Sequence, residues 1–319
     1  VKYRIDIFYR SILHTIFILS IAMLTGVSIS KVTMAGDISS ETPLATFDFA
    51  IAETLSAIGH PPRFLAGLRG YETYSRQSGI IPFTENLGSR FLPNYELLAN
   101  HPPQYILISP PAHVNIKPRL RRISDVKEYL LYNFSGNNDD HDHWEAVEKL
   151  TRQLGDLVHA PARADQYIEK TNSYFDDLRS QLDGSSDFPI LIVRLIDERH
   201  ARIYGEGSVE GMVVNRLGLQ NAWQGDLGQW GMTTVSATPL FDIDAKVIFL
   251  ESPYDPPGGQ KRLLSNGQWR HLPAVKESNY TIVPINYWSW GGLPSAQRFA
   301  NNLVSHLTES NFSDATTAE

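Results

Sequence analysis

Ala162-Arg163-Ala164-Asp165-Gln166-Tyr167-Ile168-Glu169-Lys170-Thr171-Asn172-Ser173-Tyr174-Phe175-Asp176-Asp177-Leu178-Arg179-Ser180-Gln181-Leu182 contains neither Gly nor Pro. Within it Tyr167, Ile168, Thr171, Tyr174, Phe175, Leu178 and Leu182 recur at helical spacing, which lays the larger side chains along one face of an α-helix. Pro161 stands where a first helical turn tolerates it. Asp183-Gly184-Ser185-Ser186 ends the run. The spacing predicts one helix of about six turns.

What flanks this helix decides the architecture. Before it, Asp48 is placed to cap a helix through Ala50–Ile58, which Gly59 would end. Phe64–Leu68 reads as a short strand, and Gly70–Gly79 reads as a loop that holds Tyr71 and Tyr74. Asn94 caps a short helix, Tyr95–Asn100, and Gln104–Ser109 is a buried-type strand that Pro110-Pro111 stop. The basic stretch Ile116–Leu131 reads as a helix edge and a strand. After the long helix come the strand Pro189–Ile196, a short helix Val209–Leu217, a Trp-bearing loop, a helix and the strand Lys246–Leu250. A helix near Gln268–Leu272, the strand Tyr280–Pro284, an aromatic run and a closing helix from about Pro294 to Leu307 complete the chain. Helix and strand alternate on both sides of one long helix, which predicts two similar α/β lobes.

The 319 residues allow about two domains. Lys2, Arg4 and Arg10 precede an apolar run from Ile12 to about Ile29, and Thr33-Met34-Ala35 offers small residues before Gly36. A basic start, a short apolar centre and a small-residue exit describe a secretory leader cleaved after Ala35. The expected organisation is a leader (1–35), a first lobe (36–160), the connecting helix (161–184), a second lobe (185–310) and a flexible tail (311–319). Loss of the leader removes four basic residues and one acid, Asp6, and takes the net charge from −7 to −10. Such a surface argues against nucleic acid as a partner. With no Cys, an exported chain has no disulfides and relies on its core. A periplasmic location and a monomeric state are expected.

The stretch Asn221-Ala222-Trp223-Gln224-Gly225-Asp226-Leu227-Gly228-Gln229-Trp230-Gly231 sets two indoles seven residues apart among three glycines. Gly and Asn punctuate loops, and a surface loop with two indoles either lids its own domain or walls a ligand pocket. A second aromatic group, Tyr287-Trp288-Ser289-Trp290, follows the last strand.

Three other functions can be weighed on the residues. A hydrolase would need Gly-x-Ser-x-Gly, but in Gly205–Gly211 Glu206 occupies the place of the first Gly around Ser208. The stretch reads as a strand-to-helix turn capped by Ser208. A zinc or manganese receptor would need dispersed His and carboxylate ligands. His141 and His143 are two apart, so on a helix they would point to different sides; Asp139–His143 reads as a solvated helix start favoured by its acids. A haem or cobalamin carrier remains open, because an aromatic cleft suits any flat chelate.

An ordered set of motifs resembles the periplasmic ferric-siderophore-binding proteins of ABC importers, ferric-hydroxamate receptors above all. It comprises Leu87-Gly88-Ser89-Arg90 with Pro93–Leu98, Leu195–His200, Asn221–Gly225 through Trp230-Gly231, Val283-Pro284, and Ser295-Ala296 with Phe299. The resemblance implies two α/β lobes on one long helix (the class III type of periplasmic binding protein), limited closure, a ferric siderophore as ligand and an inner-membrane ABC permease as partner. It implies neither catalysis nor a resident cofactor. Carried over residue by residue, it places Arg90 at the chelate oxygens and Tyr74, with Tyr71 nearby, and Trp230 in the walls. The aromatic after the Val-Pro strand falls on Tyr287 or Trp288, with Trp290 added, and Trp223 packs beneath its loop. The family's Tyr after the first-lobe strand is missing from Ser109–His113, where His113 stands in as donor, and Met232 replaces a small polar residue. Of the family's permease-docking acids, Glu210 falls two residues early and Met212 occupies the matching place.

The chemistry can be argued apart from the resemblance. A ferric trihydroxamate carries iron already saturated by oxygen, so its receptor needs a donor and flat walls rather than metal ligands. Arg supplies a planar fork of N–H donors, and aromatics supply area at low entropy cost.

Overall fold

The computed structural model describes residues 43–75, 84–131, 143–182, 188–228 and 230–316. The expected leader (1–35), Asp139–Asp142 with His141, Asp183–Ser186 and the last three residues lie outside them. Among the described residues ten strands form two five-stranded sheets, with α6 (Pro161–Gln181) between them in sequence. No helix of the described residues is long and apolar enough to cross a membrane.

The first sheet holds β1 (Leu44–Thr46), β2 (Phe64–Leu65), β3 (Glu85–Asn86), β4 (Tyr105–Ile108) and β5 (Asp125–Glu128) in the order β3-β2-β1-β4-β5, all parallel. Its central strands are largely buried and, Thr46 apart, apolar, as a sheet covered on both faces requires. α1 (Phe49–Ala57) follows β1, and Asp48 caps it by accepting from the backbone N–H of Ala50 and Ile51. Asn94 caps α3 (Tyr95–Asn100) from Leu97 N–H in the same way. α4 (Lys117–Leu120) and β5 realise the helix edge and strand expected in the basic stretch.

Gly70–Gly79 was expected to be a loop, yet α2 spans Leu68–Ser75. Gly70 and the scarcity of aliphatic residues hide this helix, which is held by aromatic packing. Tyr71 and Tyr74, three apart, therefore share a face. His143 opens α5 (His143–Leu157) and is buried, so at this residue the solvated-start reading is wrong. Among the described residues no group of three metal-ligating side chains occurs.

α6 packs against α5 and against α10 (Leu293–Thr316), which follows the short α8 (Gly259–Leu264) and α9 (Pro273–Lys276). The closing helix thus continues past Leu307, and residues 311–316 are helical rather than tail. The second sheet contains β6 (Ile190–Leu195), β7 (His200–Tyr204), β8 (Met232–Ser236), β9 (Lys246–Glu251) and β10 (Tyr280–Pro284), ordered β10-β9-β6-β7-β8. β10, β9 and β6 are parallel, whereas β7 and β8 add an antiparallel edge. The sequence reading lacks both of these strands: His200 and Arg202 interrupt the apolar pattern of β7, and β8 begins directly after the Gly-rich loop.

Side chains of α1, α5, α6 and α10 share one core with Ile190, Ile192, Ile248 and Tyr287. Separate clusters cover the remaining faces of the two sheets. α7 (Val209–Arg216) starts at Ser208, whose hydroxyl donates to Gly205 O and accepts from Gly211 N–H. That hydroxyl is committed to a cap, as the turn reading expected. Trp223 packs on the second-lobe cluster beneath its loop.

Candidate functional site

A fourth, small cluster of Phe49, Ala52, Leu65 and Tyr71, with Leu68 and Trp288 against it, forms the floor of the candidate site. Arg90 lies over this floor. Its guanidinium carbon is 4.5 Å from the Phe49 ring centre and 5.3 Å from that of Trp288, within the range of cation–π attraction. Nε donates to Phe47 O at 2.7 Å, and a terminal nitrogen is 3.8 Å from Asp48 Oδ2. Gly67 permits this placement: its φ is +75°, and a Cβ there would come within 2.8 Å of Arg90 Cγ.

From Trp288 a chain of edge-to-face rings leads in two directions. Trp290 is 4.9 Å away centre to centre, and Trp230 is 6.2 Å beyond Trp290. Tyr74 lies 5.0 Å from Trp288, and Tyr254 lies 5.4 Å from Tyr74. Such contacts each contribute about 0.5–1.5 kcal/mol beyond burial. Arg90 and Trp230, far apart in sequence, are thus connected through Trp288 and Trp290. Burial holds the Tyr74 hydroxyl above its ordinary range, with Tyr254 adding to the effect and Arg194 opposing it.

Three of the expected site residues stand elsewhere. Tyr287 is fully buried and donates to Glu210 Oε1 at 2.9 Å; it belongs to the core, and of the two candidates after the Val-Pro strand Trp288 alone reaches the ring chain. Tyr71 is 2% exposed and lies under Phe49, 5.5 Å between ring centres, so it backs the wall without facing a ligand. His113 is also buried; its Nδ1 accepts from Ser109 N–H, and its ring stacks on Phe91. Burial holds its pKa below the ordinary range, Arg90 pushing the same way and Asp48 opposing. The surface neighbour is Phe91, 59% exposed.

Phe49, Phe91 and Tyr254 were not foreseen. Phe49 sits in an apolar helix and reads as core, and Tyr254 sits in a Pro-rich turn. Only Phe91, adjacent to Arg90 in the Gly-x-Arg turn, carried a readable signal.

Two buried carboxylates fix the aromatic run from its two ends. Glu210 Oε1 accepts from Tyr287 and from Ser289 Oγ at 2.7 Å. Burial raises its pKa to about 7, against hydrogen bonds that pull it down. Being fully buried, Glu210 is excluded as a docking acid. Glu53, from α1, accepts from Gly292 N–H at 2.7 Å, from Ser295 Oγ at 2.8 Å and from Arg298. Ser295 Oγ in turn accepts from Trp288 N–H at 3.0 Å. The carboxylate has so little space that a Cβ on Gly291 would lie 2.5 Å from Glu53 Oε1. Burial raises the Glu53 pKa while Arg298 opposes. A cavity of about 540 Å³ opens beside this pair between α1, α6 and α10, and none of the expected ligand-wall residues lines it.

A two-lobed α/β chain on a helical backbone, with an aromatic site shared by both halves, has the build of an extracytoplasmic solute receptor. Comparison with known families agrees: residues 45–284 match the periplasmic binding protein family, and the chain belongs to it. Among characterised proteins it is 23% identical over 261 residues to the iron(3+)-hydroxamate-binding protein FhuD of Escherichia coli (strain K12), spanning 82% of this chain and 85% of that protein. Among solved structures it resembles the siderophore-binding protein FhuD of Vibrio cholerae bound to Fe3+-Desferal, with a TM-score of 0.74, 22% identity and coverage of 84% and 98%. It also resembles the triscatecholate siderophore-binding protein FeuA of Bacillus subtilis, with a TM-score of 0.65, 18% identity and coverage of 83% and 92%. The fold is that of the class III periplasmic binding proteins.

Proposed function

We propose that this protein binds a ferric siderophore of the hydroxamate type outside the cytoplasm and delivers it, as a monomer, to an ABC permease of the inner membrane. The observation that carries this reading is the Arg90 guanidinium, laid over the touching rings of Phe49 and Trp288 at one end of a ring chain that continues to Trp290 and Trp230. The planar fork offers directed donors to chelate oxygens, and the indoles offer flat apolar walls. Iron enters already coordinated, so the receptor need contribute no ligand to the metal. The relatives support the cargo class: FhuD of Escherichia coli is a ferric-hydroxamate-binding protein, and its Vibrio cholerae counterpart holds Fe3+-Desferal. The family and the leader expected in residues 1–35 support a periplasmic location. A binding rather than catalytic role fits the Ser208 hydroxyl, which is used as a helix cap.

Titration with a panel of ferric hydroxamates, read by Trp emission and by calorimetry, tests the reading. Quenching with sub-micromolar to micromolar dissociation constants is expected, with haem and iron-free ligands weaker. A silent calorimeter and unchanged emission across the panel would remove the cargo assignment.

A further inference from the structure

Two guanidinium groups border the ring chain, and each is matched by an aspartate. Arg90 has Asp48, whose side chain is 5% exposed. Arg194, near the end of β6, makes a two-pronged contact with Asp255: a terminal nitrogen at 2.7 Å from Oδ1, and Nε at 3.4 Å from Oδ2. Asp255 is itself held in place. Its Oδ2 accepts from Ser252 N–H at 3.2 Å and from Gln260 Nε2 at 3.5 Å. Gln260 is pinned in turn to the backbone of Leu195. The preceding residue, Tyr254, is 61% exposed and contacts Tyr74. The Arg194–Asp255 pair therefore stands at the rim of the aromatic chain, on the second lobe, as Arg90–Asp48 does on the first.

The fold does not choose a cargo by charge, since the structural neighbours include a Fe3+-Desferal complex and a triscatecholate receptor. Side chains must do so. Three hydroxamates each bring one negative charge and cancel those of Fe3+. Three catecholates each bring two and leave the chelate threefold negative. An arginine already faced by a carboxylate supplies no net positive field, and in a partly desolvated site the carboxylate repels a trianion.

We propose that Asp255, together with Asp48, sets the charge class of the cargo: the site admits ferric chelates whose metal charge is cancelled by their ligands and turns away multiply anionic ones. This rests on the ferric-siderophore reading above and deepens it. Arg194 and Asp255 act as one unit, so removing the acid alone frees a cation at the rim.

The test compares two probes on one protein: the ferric complex of an N-acetylated linear trihydroxamate, which is uncharged, and the ferric complex of a tripodal tris-catecholate, which is trianionic. The readout is the ratio of their dissociation constants, from Trp quenching, in wild type, Asp255→Asn and Asp255→Asn/Arg194→Gln. In wild type the trianion should bind more weakly by roughly tenfold or more. Asp255→Asn should narrow that ratio by about tenfold, and the added Arg194→Gln should widen it again. Should Asp255→Asn fail to fold, Asp48→Asn repeats the measurement at the other pair while keeping an oxygen for the α1 cap. Equal binding of both probes by wild type overturns the proposal, as does a ratio that ignores the aspartate. If wild type binds neither probe, the siderophore reading fails first and this inference falls with it.

Discussion

The aromatic run Tyr287–Trp290 is gripped from two flanks, and the flanks are built on different electrostatics. Toward the first lobe the contacts are ionic: Glu53 with Arg298 at the start of α10, and Arg90, against Trp288, with Asp48. Toward α7 the contact is a buried acid, Glu210, held by two hydroxyls, and no Lys or Arg among the described residues pairs with it. The difference follows from what each flank joins. Glu53 reaches across from α1 to the N-terminal turn of α10, so its hydrogen bonds fix one lobe's helix against the other's; directed, charge-assisted bonds suit that task. Glu210 ties its own lobe's loop to its own lobe's helix, inside an apolar core where a charge is costly. The tie across the lobes also supports limited closure, because Trp288 and α1 are held through the same Ser295 hydroxyl.

The contrast can be broken most forcefully at Glu53. Glu53→Ala leaves the buried Arg298 guanidinium uncompensated, and the loss should be about 3–5 kcal/mol of stability, measured by denaturant unfolding. Glu53→Gln should cost less, because it retains an acceptor for Gly292 N–H. A Glu53→Ala protein as stable as wild type would mean that the ionic flank contributes nothing to holding the lobes. The next effect is expected at Arg90. Arg90→Ala removes a charge-assisted donor from a largely desolvated position and should weaken ferric-hydroxamate binding by roughly 2–4 kcal/mol. Calorimetry on the folded variant checks this, and an unaltered affinity would take Arg90 out of the site.

Much of this arrangement can be read from the chain, and what cannot has a physical cause. α6 is legible because 21 residues keep a helical period with no breaker, and the caps at Asp48, Asn94 and Ser208 are legible because short polar side chains before apolar helices have few other uses. β4, β6 and β9 each carry a run of four apolar residues (Tyr105–Ile108, Ile190–Val193 and Val247–Leu250), and β10 a shorter one. β7 and β8 do not, since each is only five residues long and carries too few apolar side chains to set a period, and α2 does not, since its apolar face is aromatic and interrupted by Gly70. In the candidate site Arg90, Tyr74, Trp230, Trp288 and Trp290 were nameable from the ordered motifs. The distinction between Tyr287 and Trp288 was not: an alternation of buried and half-buried aromatics over four residues depends on Glu210, which lies 77 positions earlier. Tyr254 and the Arg194–Asp255 pair were equally hidden, because they form by long-range packing of β6 against the loop after β9.

The neutral flank can be sharpened by pH. The folded-state pKa of Glu210 lies at about 7, above its usual 4.5. Between these values the native protein holds a proton that the unfolded chain releases. Stability attributable to Glu210 is therefore fully present below about pH 4.5 and is lost as the pH rises through about 7. The full span is up to about 3 kcal/mol. Glu53, raised in the same direction, adds to this slope. Glu210→Gln, still able to accept from Tyr287 and Ser289, should flatten part of the slope and gain stability relative to wild type at pH 8. Parallel unfolding curves for the two proteins between pH 5 and 8 would show that Glu210 is ionised throughout in the native state.

The smallest expected effect tests whether the two flanks meet at a single wall. Trp290 is the link between Trp288, which the ionic flank positions, and Trp230, at the far end of the ring chain. Trp290→Phe keeps an aromatic ring but shortens it, so one or both edge-to-face contacts should weaken, at a cost of about 0.5–1.5 kcal/mol in ferric-hydroxamate affinity. Glu53 and Glu210 are untouched, so the unfolding midpoint should move little. The same substitution should reduce the amplitude of Trp quenching by bound iron, because one indole of the wall is gone. If affinity and quenching amplitude both stay at wild-type values, Trp290 is packing between its neighbours and the ligand wall ends at Trp288, on the ionic flank alone.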